Sequence, residues 1–281
     1  MTNPARKTGD MAYLQSRPGS WFNSGMNARK CFLLFLLAFL AALFIQYWDF
    51  FQPGQSLFLA QFYDATPKFC LYPWLVESTR QLDQGHFPLW NNWQGAGMPL
   101  LANCQSTPFN PFNLVFEIFP NLRLLDLILL LKLTALSVFT YLLALELGLS
   151  SLSAAASALM LSFSGFLSQN INHINLNVDL WLPAGLLLAE KILNNRATLL
   201  RLIMLGLINA LALLGGNPQA AFFLLLFILS YSLLRAGWKK KREILAIMTG
   251  SALGLILSAI QTLSFIEYLG FSWNYHTRAI H

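Results

Sequence analysis

The feature that most constrains this chain is a series of long apolar runs, several of which hold almost no charge. The first is CFLLFLLAFLAALFIQYW (31–48). A helix of about 18 to 20 apolar residues is long enough to cross a bilayer. Charged residues make up 11% of the chain, whereas a soluble domain carries about 25%. So few charges cannot cover a surface in water, and the sequence therefore predicts an all-α integral membrane protein.

These runs predict about seven transmembrane helices. The first run is longer than the apolar part of a secretory signal and has no small-residue cleavage site, so we expect it to remain in the protein. The run near 124–147 carries Asp126 and Lys132 in its first half. This half is therefore either an interfacial helix or one that turns both side chains towards other helices. The remaining predicted spans are 152–169, 177–194, 199–215, 219–235 and 244–263.

Lysine and arginine residues indicate the orientation, because they collect in the cytoplasmic loops of membrane proteins. Most of the eighteen lie on one side if the N-terminus is cytoplasmic. Residues 1–30 are then a basic cytoplasmic tail, and residues 31–281 form the membrane module. In this orientation WKKKRE (238–243) is a cytoplasmic anchor, or alternatively a contact for anionic membrane lipid. The net charge of +6 follows from these loops and indicates no nucleic-acid partner.

The other ionisable residues are distributed unevenly in this orientation. Most carboxylates and all four histidines fall in the outer segments, which are 49–123, 170–176, 215–218 and the tail from about 264. Asp179 lies just inside the fourth span. Carboxylates and imidazoles are the usual proton-transfer groups and metal ligands, so we expect the chemistry at the outer face. The outer residues are Asp49, Asp64, Glu77, Asp83, Glu117, Glu267, His86, His173, His276 and His281.

The first outer segment (49–123) is too long for a passive connection and richer in aromatic residues than a disordered chain. We expect a folded subdomain with one or two short helices, one of them near 65–84. Its part GHFPLWNNWQGAGMPLLANCQSTPFNPFN (85–113) combines aromatic rings with neutral amides, a mixture that suits hydroxylated, uncharged ligands such as sugars. Alternatively, Asn, Pro and Gly only shape turns while the rings anchor the loop at the membrane interface. The candidate ligand contacts here are Trp90, Asn91, Asn103 and Gln105.

Five further motifs are spread over residues 64–272. They are YDATPKFCLYPW (63–74), GHFPLWNNWQGAGMPLLANCQ (85–105), SGFLSQNINHINLNVDLWLP (164–183), LLGGNPQ (213–219) and LSAIQTLSFIEYLGFS (257–272). In this order they resemble the motifs of the bacterial YfhO-type membrane proteins. Asn92, Cys104, Asn217 and Ser264 depart from the family pattern, which usually has Pro, Pro, His and Pro at these places. Family members continue for hundreds of residues. We therefore expect this chain to be the N-terminal part, with a second chain as one source of the missing C-terminal part.

The resemblance implies an integral membrane glycosyltransferase of the GT-C class, whose N-terminal module lies in the bacterial cytoplasmic (inner) membrane. Such enzymes take a sugar from a polyprenyl-phosphate donor and transfer it on the outer face, here to an envelope glycopolymer or glycolipid acceptor. The class usually places an essential Asp early in the first outer loop, and Asp64 is the matching position. Asp64 is therefore the expected base, and its alternative role is the N-cap of a helix that begins at Ala65.

A transferase also needs groups that bind the sugar and stabilise the charge on the leaving phosphate. Arg80 and Lys68 are the nearest outer cations, unless they are simply solvated. His173 and Asn175 can reach the phosphate or the sugar, unless His173 is only a hydrogen-bonding spacer. The turn GGNPQ (215–219) either points polar side chains into a cavity or is a plain hairpin. The other candidate contacts are Asn217, Gln219 and, more weakly, Glu267.

The sequence predicts no metal site, because neither His-x-x-x-His nor Cys-x-x-Cys spacing occurs. Carboxylate sites for Mg²⁺ or Mn²⁺ leave no reliable signature, so a divalent cation stays open as a cofactor. Cys70 and Cys104 both lie on the predicted outer side, where a disulfide between them is allowed. Two other function classes compete with the transferase. One is a transporter or flippase of lipid-linked glycans, which favours broken helices and internal repeats. The other is a non-catalytic envelope component that binds a glycan or a partner subunit.

Overall fold

A computed structural model describes residues 28–62, 65–237 and 240–271 of the chain. The rest, which includes most of the predicted basic tail, lies outside the described residues. The described part is mostly helical, which confirms the predicted all-α class. Its α-helices in chain order are α1 (Ala28–Gln46), α2 (Tyr72–Asp83), α3 (Pro111–Ile118), α4 (Leu122–Glu146), α5 (Ser151–Ser162), α6 (Gly165–Gln169), α7 (Leu176–Asp179), α8 (Trp181–Lys191), α9 (Leu199–Leu213), α10 (Pro218–Ala236), α11 (Lys241–Leu257) and α12 (Ala259–Phe271).

The long segment between α1 and α4 is folded. It begins with a 3-10 turn at Trp48–Phe51 and contains α2, α3 and a short hairpin. In that hairpin β1 (Trp90–Asn91) pairs antiparallel with β2 (Met98–Pro99). A π-helical turn at Pro67–Leu71 leads into α2, so the helix that the sequence predicts near 65–84 is present. The side chain of Gln81 in α2 donates to the Trp90 carbonyl oxygen over 2.8 Å, which attaches the hairpin to this helix.

Four helical segments of the described residues are long and apolar enough to cross a membrane. They are α1, α4, the segment Ser151–Gln169 formed by α5 and α6, and α10. α11 and α12 pass the same test as a pair, but they are bent by 74° at Ser258. This pair is therefore a broken span or a re-entrant loop. The described residues thus form an all-α structure with four or five helical segments suited to a membrane.

The seven spans predicted from the sequence are not all matched by straight helices. The predicted span 177–194 is divided into α7, α8 and the start of a π-helical turn, and it contains Asp179, Glu190 and Lys191. α9, within the predicted span 199–215, has 15 residues. That length gives about 22 Å of helix against about 30 Å of bilayer hydrocarbon. Hydropathy does not distinguish a short or broken apolar helix from a straight span, so the sequence predicts more spans than these helices provide.

Two clusters of buried apolar side chains hold the helices together. The first joins α1, α4 and α5, and the second joins α8, α9, α10 and α11. Trp181, at the start of α8, packs against both clusters. Because lipid is as apolar as these side chains, close packing is what stabilises such clusters within a membrane. The fully buried centres are Phe39, Leu133 and Ala158 in the first cluster and Ala189, Leu205 and Ile247 in the second.

Candidate functional site

A cavity of about 590 Å³ is lined from both apolar clusters. Its wall comes from α4, from the segment of α5 and α6, from α7 and α8, and from the first turns of α10. This volume and a mostly apolar wall with a few polar groups are typical of sites for small molecules. The polar groups belong to Ser164, Asn175, Asp179, Asn217 and Gln219. The apolar wall consists of Leu136, Leu161, Phe166, Leu167, Leu182, Ala220 and Phe223.

Asp179 is the carboxylate of this cavity. It is the last residue of α7, and its backbone N–H donates to the Asn175 carbonyl oxygen over 2.9 Å. Residues four apart on a helix lie on the same face, so both side chains line the cavity. Within the described residues, no donor or cation contacts the Asp179 carboxylate. A carboxylate taken out of water costs free energy unless it is paired or hydrogen-bonded. The cavity therefore offers an acceptor that the described fold does not use.

Two asparagines fix each other beside Asp179. The Asn217 Nδ2 donates to the Asn175 Oδ1 over 2.6 Å. The Asn217 Oδ1 accepts from the backbone N–H of Ala220 over 3.0 Å, and this bond caps the start of α10. The Nδ2 of Asn175 and the amide of Gln219 have no partner in the part of the chain that the structure describes. These amides are the hydrogen-bond donors that the cavity can present to a ligand.

A buried lysine supports the same region from α4. The Lys132 side chain is 4% exposed, and its Nζ donates to the Asn177 Oδ1 over 2.6 Å. The same Nζ lies 5.0 Å from the ring centre of Phe112, an arrangement that stabilises a buried cation. The Asn177 Nδ2 in turn donates to the Gly215 carbonyl oxygen over 3.1 Å. This chain of bonds ties α4 and α7 to the turn that precedes Asn217.

Asp126, the other charged residue of the predicted second span, also faces protein. Its Oδ1 accepts from the Ser56 Oγ over 2.8 Å and from the Phe58 backbone N–H over 2.9 Å. Its Oδ2 lies 3.7 Å from the Arg123 Nη1. Asp126 thus anchors the segment that follows α1. Lys132 therefore faces another helix, as one of the two predictions for this span expects, whereas Asp126 faces the non-helical segment that follows α1.

The loop after β2 covers the turn that carries Asn217. Gly216 has a φ of +92°, and a Cβ at this position would collide with the side chains of Thr107 and Ile174. The turn therefore requires glycine. The Asn110 Nδ2 reaches the Leu214 carbonyl oxygen over 3.4 Å. The loop thereby joins the polar part of the cavity to the aromatic-rich segment in which the sequence predicts a ligand surface.

Cys104 connects this loop to the last described helix. Its φ is 67°, and the Gln261 Nε2 of α12 donates to its carbonyl oxygen over 3.1 Å and lies 3.2 Å from its Sγ. Burial raises the pKa of the Cys104 thiol. Cys70 and Cys104 are both free thiols. The structure thus shows no disulfide between them, and the Cys104 sulfur lies against Gln261.

The structure brings only part of the predicted site together. Asn175, Asn217 and Gln219 line the cavity. His173 lies just outside it, and its Nδ1 accepts from the backbone N–H of Asn175 over 3.4 Å. Asp64, the expected base, lies outside the described residues. Three further candidates are exposed and do not line the cavity: Trp90, Gln105 and Glu267.

The remaining candidates have partners close to them in the sequence. Arg80 is paired with Glu77 over 2.7 Å, and the hydrogen bonds from Arg80 lower the pKa of the Glu77 carboxyl. The side chains of Asn91 and Asn103 each accept a nearby backbone N–H over 2.9 Å. These two asparagines shape turns, as the alternative interpretation of the stretch expects.

Four residues that matter to this region are not among the site residues predicted from the sequence. Asp179 and Lys132 carried a signal, because an ionisable residue inside an apolar run is a candidate functional residue. Asn177 and Gln261 carried none. Their partners, Lys132 and Cys104, are 45 and 157 positions away, and local pattern does not show such contacts.

No family model, curated protein or solved structure matches this chain. The likeness to the YfhO-type proteins therefore rests on the five sequence motifs alone. The cavity and its unpaired carboxylate are the features from which a function can be inferred.

Proposed function

We propose that the chain is a membrane glycosyltransferase-like protein of the GT-C type. It transfers a sugar from a polyprenyl-phosphate donor to an envelope glycopolymer or glycolipid on the outer face of the bacterial cytoplasmic membrane. In this proposal the chain crosses the membrane about seven times with its N-terminus in the cytoplasm. The observation that carries the proposal is the cavity, which combines a carboxylate and three amides with a wall of leucine and phenylalanine.

Such a cavity suits a molecule with a polar head and an apolar chain. Leucine and phenylalanine side chains accept a prenyl chain without loss of hydrogen bonds, whereas amides and a carboxylate match the hydroxyl groups of a sugar. The loop that ends near Asn110 packs directly on the turn before Asn217. This contact supports the proposal, because it joins the loop that contains Asn110 to the turn that carries Asn217.

The proposed reaction needs one base and a stabilised leaving group. The proton of the acceptor hydroxyl moves to the Asp64 carboxylate as the hydroxyl oxygen attacks the anomeric carbon of the donor sugar. The bond between that carbon and the phosphate oxygen breaks, and the lipid phosphate leaves with the electron pair. Arg80, Lys68 and His173 are the proposed groups that stabilise the phosphate, and a divalent cation remains a candidate cofactor.

A second candidate is a transporter or flippase for lipid-linked glycans. The 74° bend between α11 and α12 and the division of the predicted fourth span into α7 and α8 favour it. Discontinuous helices form the substrate sites of many transporters. In detergent micelles there are no compartments, so a transporter would leave a prenyl-phosphate sugar and a hydroxylated acceptor unchanged, whereas the proposed transferase would join the sugar to the acceptor.

The decisive experiment complements a strain that lacks this protein with the wild type, with Asp64→Asn or with Asp49→Asn. Envelope glycans are measured by mass spectrometry at matched protein levels. Asp49 is exposed in the turn after α1 and serves as the control carboxylate. We expect the wild type and Asp49→Asn to restore a sugar that Asp64→Asn does not restore. If Asp64→Asn restores the sugar, Asp64 is not the base. If the wild type fails to restore it, this chain alone does not transfer the sugar.

A further inference from the structure

Asp179 differs from three other acidic side chains of the helices, each of which holds a contact of the fold. Asp126 binds the segment after α1, Glu190 binds α10 and Glu77 binds Arg80. By contrast, Asp179 lines a cavity and has no partner within the described residues. A carboxylate that stabilises no contact of the fold, yet lies at a cavity wall beside unpaired amides, has the geometry of a ligand contact.

We propose that Asp179 binds the sugar of an amphipathic ligand, by accepting hydrogen bonds from the hydroxyl groups of a neutral glycosyl head. Asn175 and Gln219 complete the polar contacts, and the apolar chain lies along Leu136 and Phe223. This assignment rests on the proposed function, and it names the residue that holds the donor sugar. Asp64 remains the proposed base.

The composition of the cavity selects this ligand class over two others. A phosphate next to Asp179 would be repelled by the carboxylate, so the phosphate of the donor must lie elsewhere. A divalent cation prefers several carboxylate ligands, and the described residues contain no group of three His, Cys, Asp or Glu side chains that could hold a metal ion. A neutral sugar meets neither objection, because each hydroxyl both donates to a carboxylate and accepts from an amide.

The test measures binding of two probes to the full chain in lipid nanodiscs. One probe is farnesyl phosphate that carries glucose, and the other is farnesyl phosphate without sugar. We expect Asp179→Asn to weaken binding of the glucose probe about tenfold, since a hydrogen bond to a charged group is replaced by a weaker one. Binding of farnesyl phosphate should not change. Glu117→Gln is the matched control, because Glu117 is also a buried carboxylate with no partner among the described residues but does not line the cavity.

Two outcomes would overturn the assignment. Equal weakening of both probes would mean that Asp179 shapes the cavity instead of contacting the sugar. Unchanged binding of both would mean that the ligand does not reach it. If Asp179→Asn fails to fold, the wild type can be tested by chemical modification instead.

Dicyclohexylcarbodiimide should modify Asp179, and the glucose probe should prevent this modification whereas farnesyl phosphate should not. Modification that both probes prevent equally, or that neither prevents, also overturns the assignment.

These results separate the assignment from the proposed function. If Asp179 governs binding of the glucose probe but the protein transfers no sugar in micelles, the proposed transferase is wrong and the binding site stands. If transfer occurs and Asp179→Asn binds the glucose probe as tightly as the wild type, the transferase stands and the assignment of Asp179 is wrong.

Discussion

Asp179 and Glu190 lie on consecutive helices, α7 and α8, about three helical turns apart. Glu190 accepts from the Tyr231 hydroxyl over 2.7 Å, from the Arg235 Nη2 over 3.1 Å and from the Asn194 Nδ2 over 3.4 Å. Asp179 accepts nothing within the described residues. The same chemical group therefore has a complete set of partners at one end of this helical segment and none at the other.

This difference in partners distinguishes a carboxylate that stabilises the fold, Glu190, from one that is available to bind a ligand, Asp179. The carboxylate of Glu190 lies in the contact between α8 and α10, where charged and hydroxyl donors compensate the loss of water. The fold gives Asp179 no such compensation. The free energy lost when its carboxylate leaves water is therefore offset only by a molecule that binds in the cavity. A complete set of bonds marks a structural contact, whereas an incomplete set next to open space marks a binding site.

The largest expected effect is on stability. Glu190→Ala removes the acceptor for Tyr231, Arg235 and Asn194, and the free energy of unfolding should fall by about 2–4 kcal/mol. Asp179→Ala removes no bond of the described fold and should not lower the free energy of unfolding. Unfolding in mixed micelles by titration with a denaturing detergent measures both values. A loss in Asp179→Ala as large as that in Glu190→Ala would abolish the contrast.

Glu117 gives the next effect, because it is buried like Glu190 and unpaired like Asp179. Burial raises the pKa of this carboxyl from 4.5 to about 7. Between these two pH values the folded protein binds more protons than the unfolded chain, so stability falls as the pH rises from 4.5 to about 7. Glu117→Gln should remove the part of this decline that Glu117 causes and raise the free energy of unfolding at alkaline pH by about 3 kcal/mol. A wild-type stability that is independent of pH over this window would contradict the expectation.

Chemical reactivity should differ between the two carboxylates by at least about tenfold, because a fully paired buried group reacts only after local opening. Dicyclohexylcarbodiimide added to the wild type without a ligand should modify the peptide that contains Asp179 before the peptide that contains Glu190. Mass spectrometry of the digested protein measures the ratio. In Tyr231→Phe, modification of Glu190 should increase, since one of its donors is lost. Equal rates at both carboxylates in the wild type would show that partners do not protect Glu190.

The smallest expected effect comes from a single hydroxyl. Tyr231→Phe removes one hydrogen bond to Glu190 and should lower the free energy of unfolding by about 1 kcal/mol. Tyr268→Phe is the matched control, because the Tyr268 hydroxyl makes no hydrogen bond within the described residues. The same denaturing titration measures both variants. An equal loss in the two would mean that the bond to Glu190 adds nothing to stability.

The long helices were predictable because their signals are local. The run near 124–147 became α4 (Leu122–Glu146), and the run near 219–235 became α10 (Pro218–Ala236). Asn121 and Asn217 accept backbone N–H groups at the starts of these two helices, as capping asparagines do. The bend at Ser258 was not predictable, because α12 is positioned by a contact between Gln261 and a distant loop.

Only the part of the candidate site that lies in the turn GGNPQ (215–219) was predictable from the sequence. Of the two alternatives for the GGNPQ turn, the structure shows the one in which Asn217 and Gln219 face a cavity. The partner of Asn217 is Asn175, which is 42 positions away, so their pairing needed the tertiary structure. Asp179 was visible as a carboxylate at the edge of an apolar run, but only the packing of α4 and α10 around it shows that it is unpaired. Asp64 lies outside the described residues, and its role as the base remains a prediction.

The bond between Gln261 and Cys104 also sets an order of assembly. The two residues are 157 positions apart, and contacts of such separation form late because the intervening chain must first be made and arranged. While the ribosome is still adding α9, α10 and α11, the carbonyl group of Cys104 lacks its partner. The loop over the turn that carries Asn217 is therefore completed only when α12 arrives. Synthesis that stops before this helix should leave the cavity formed but the carbonyl group of Cys104 without its partner.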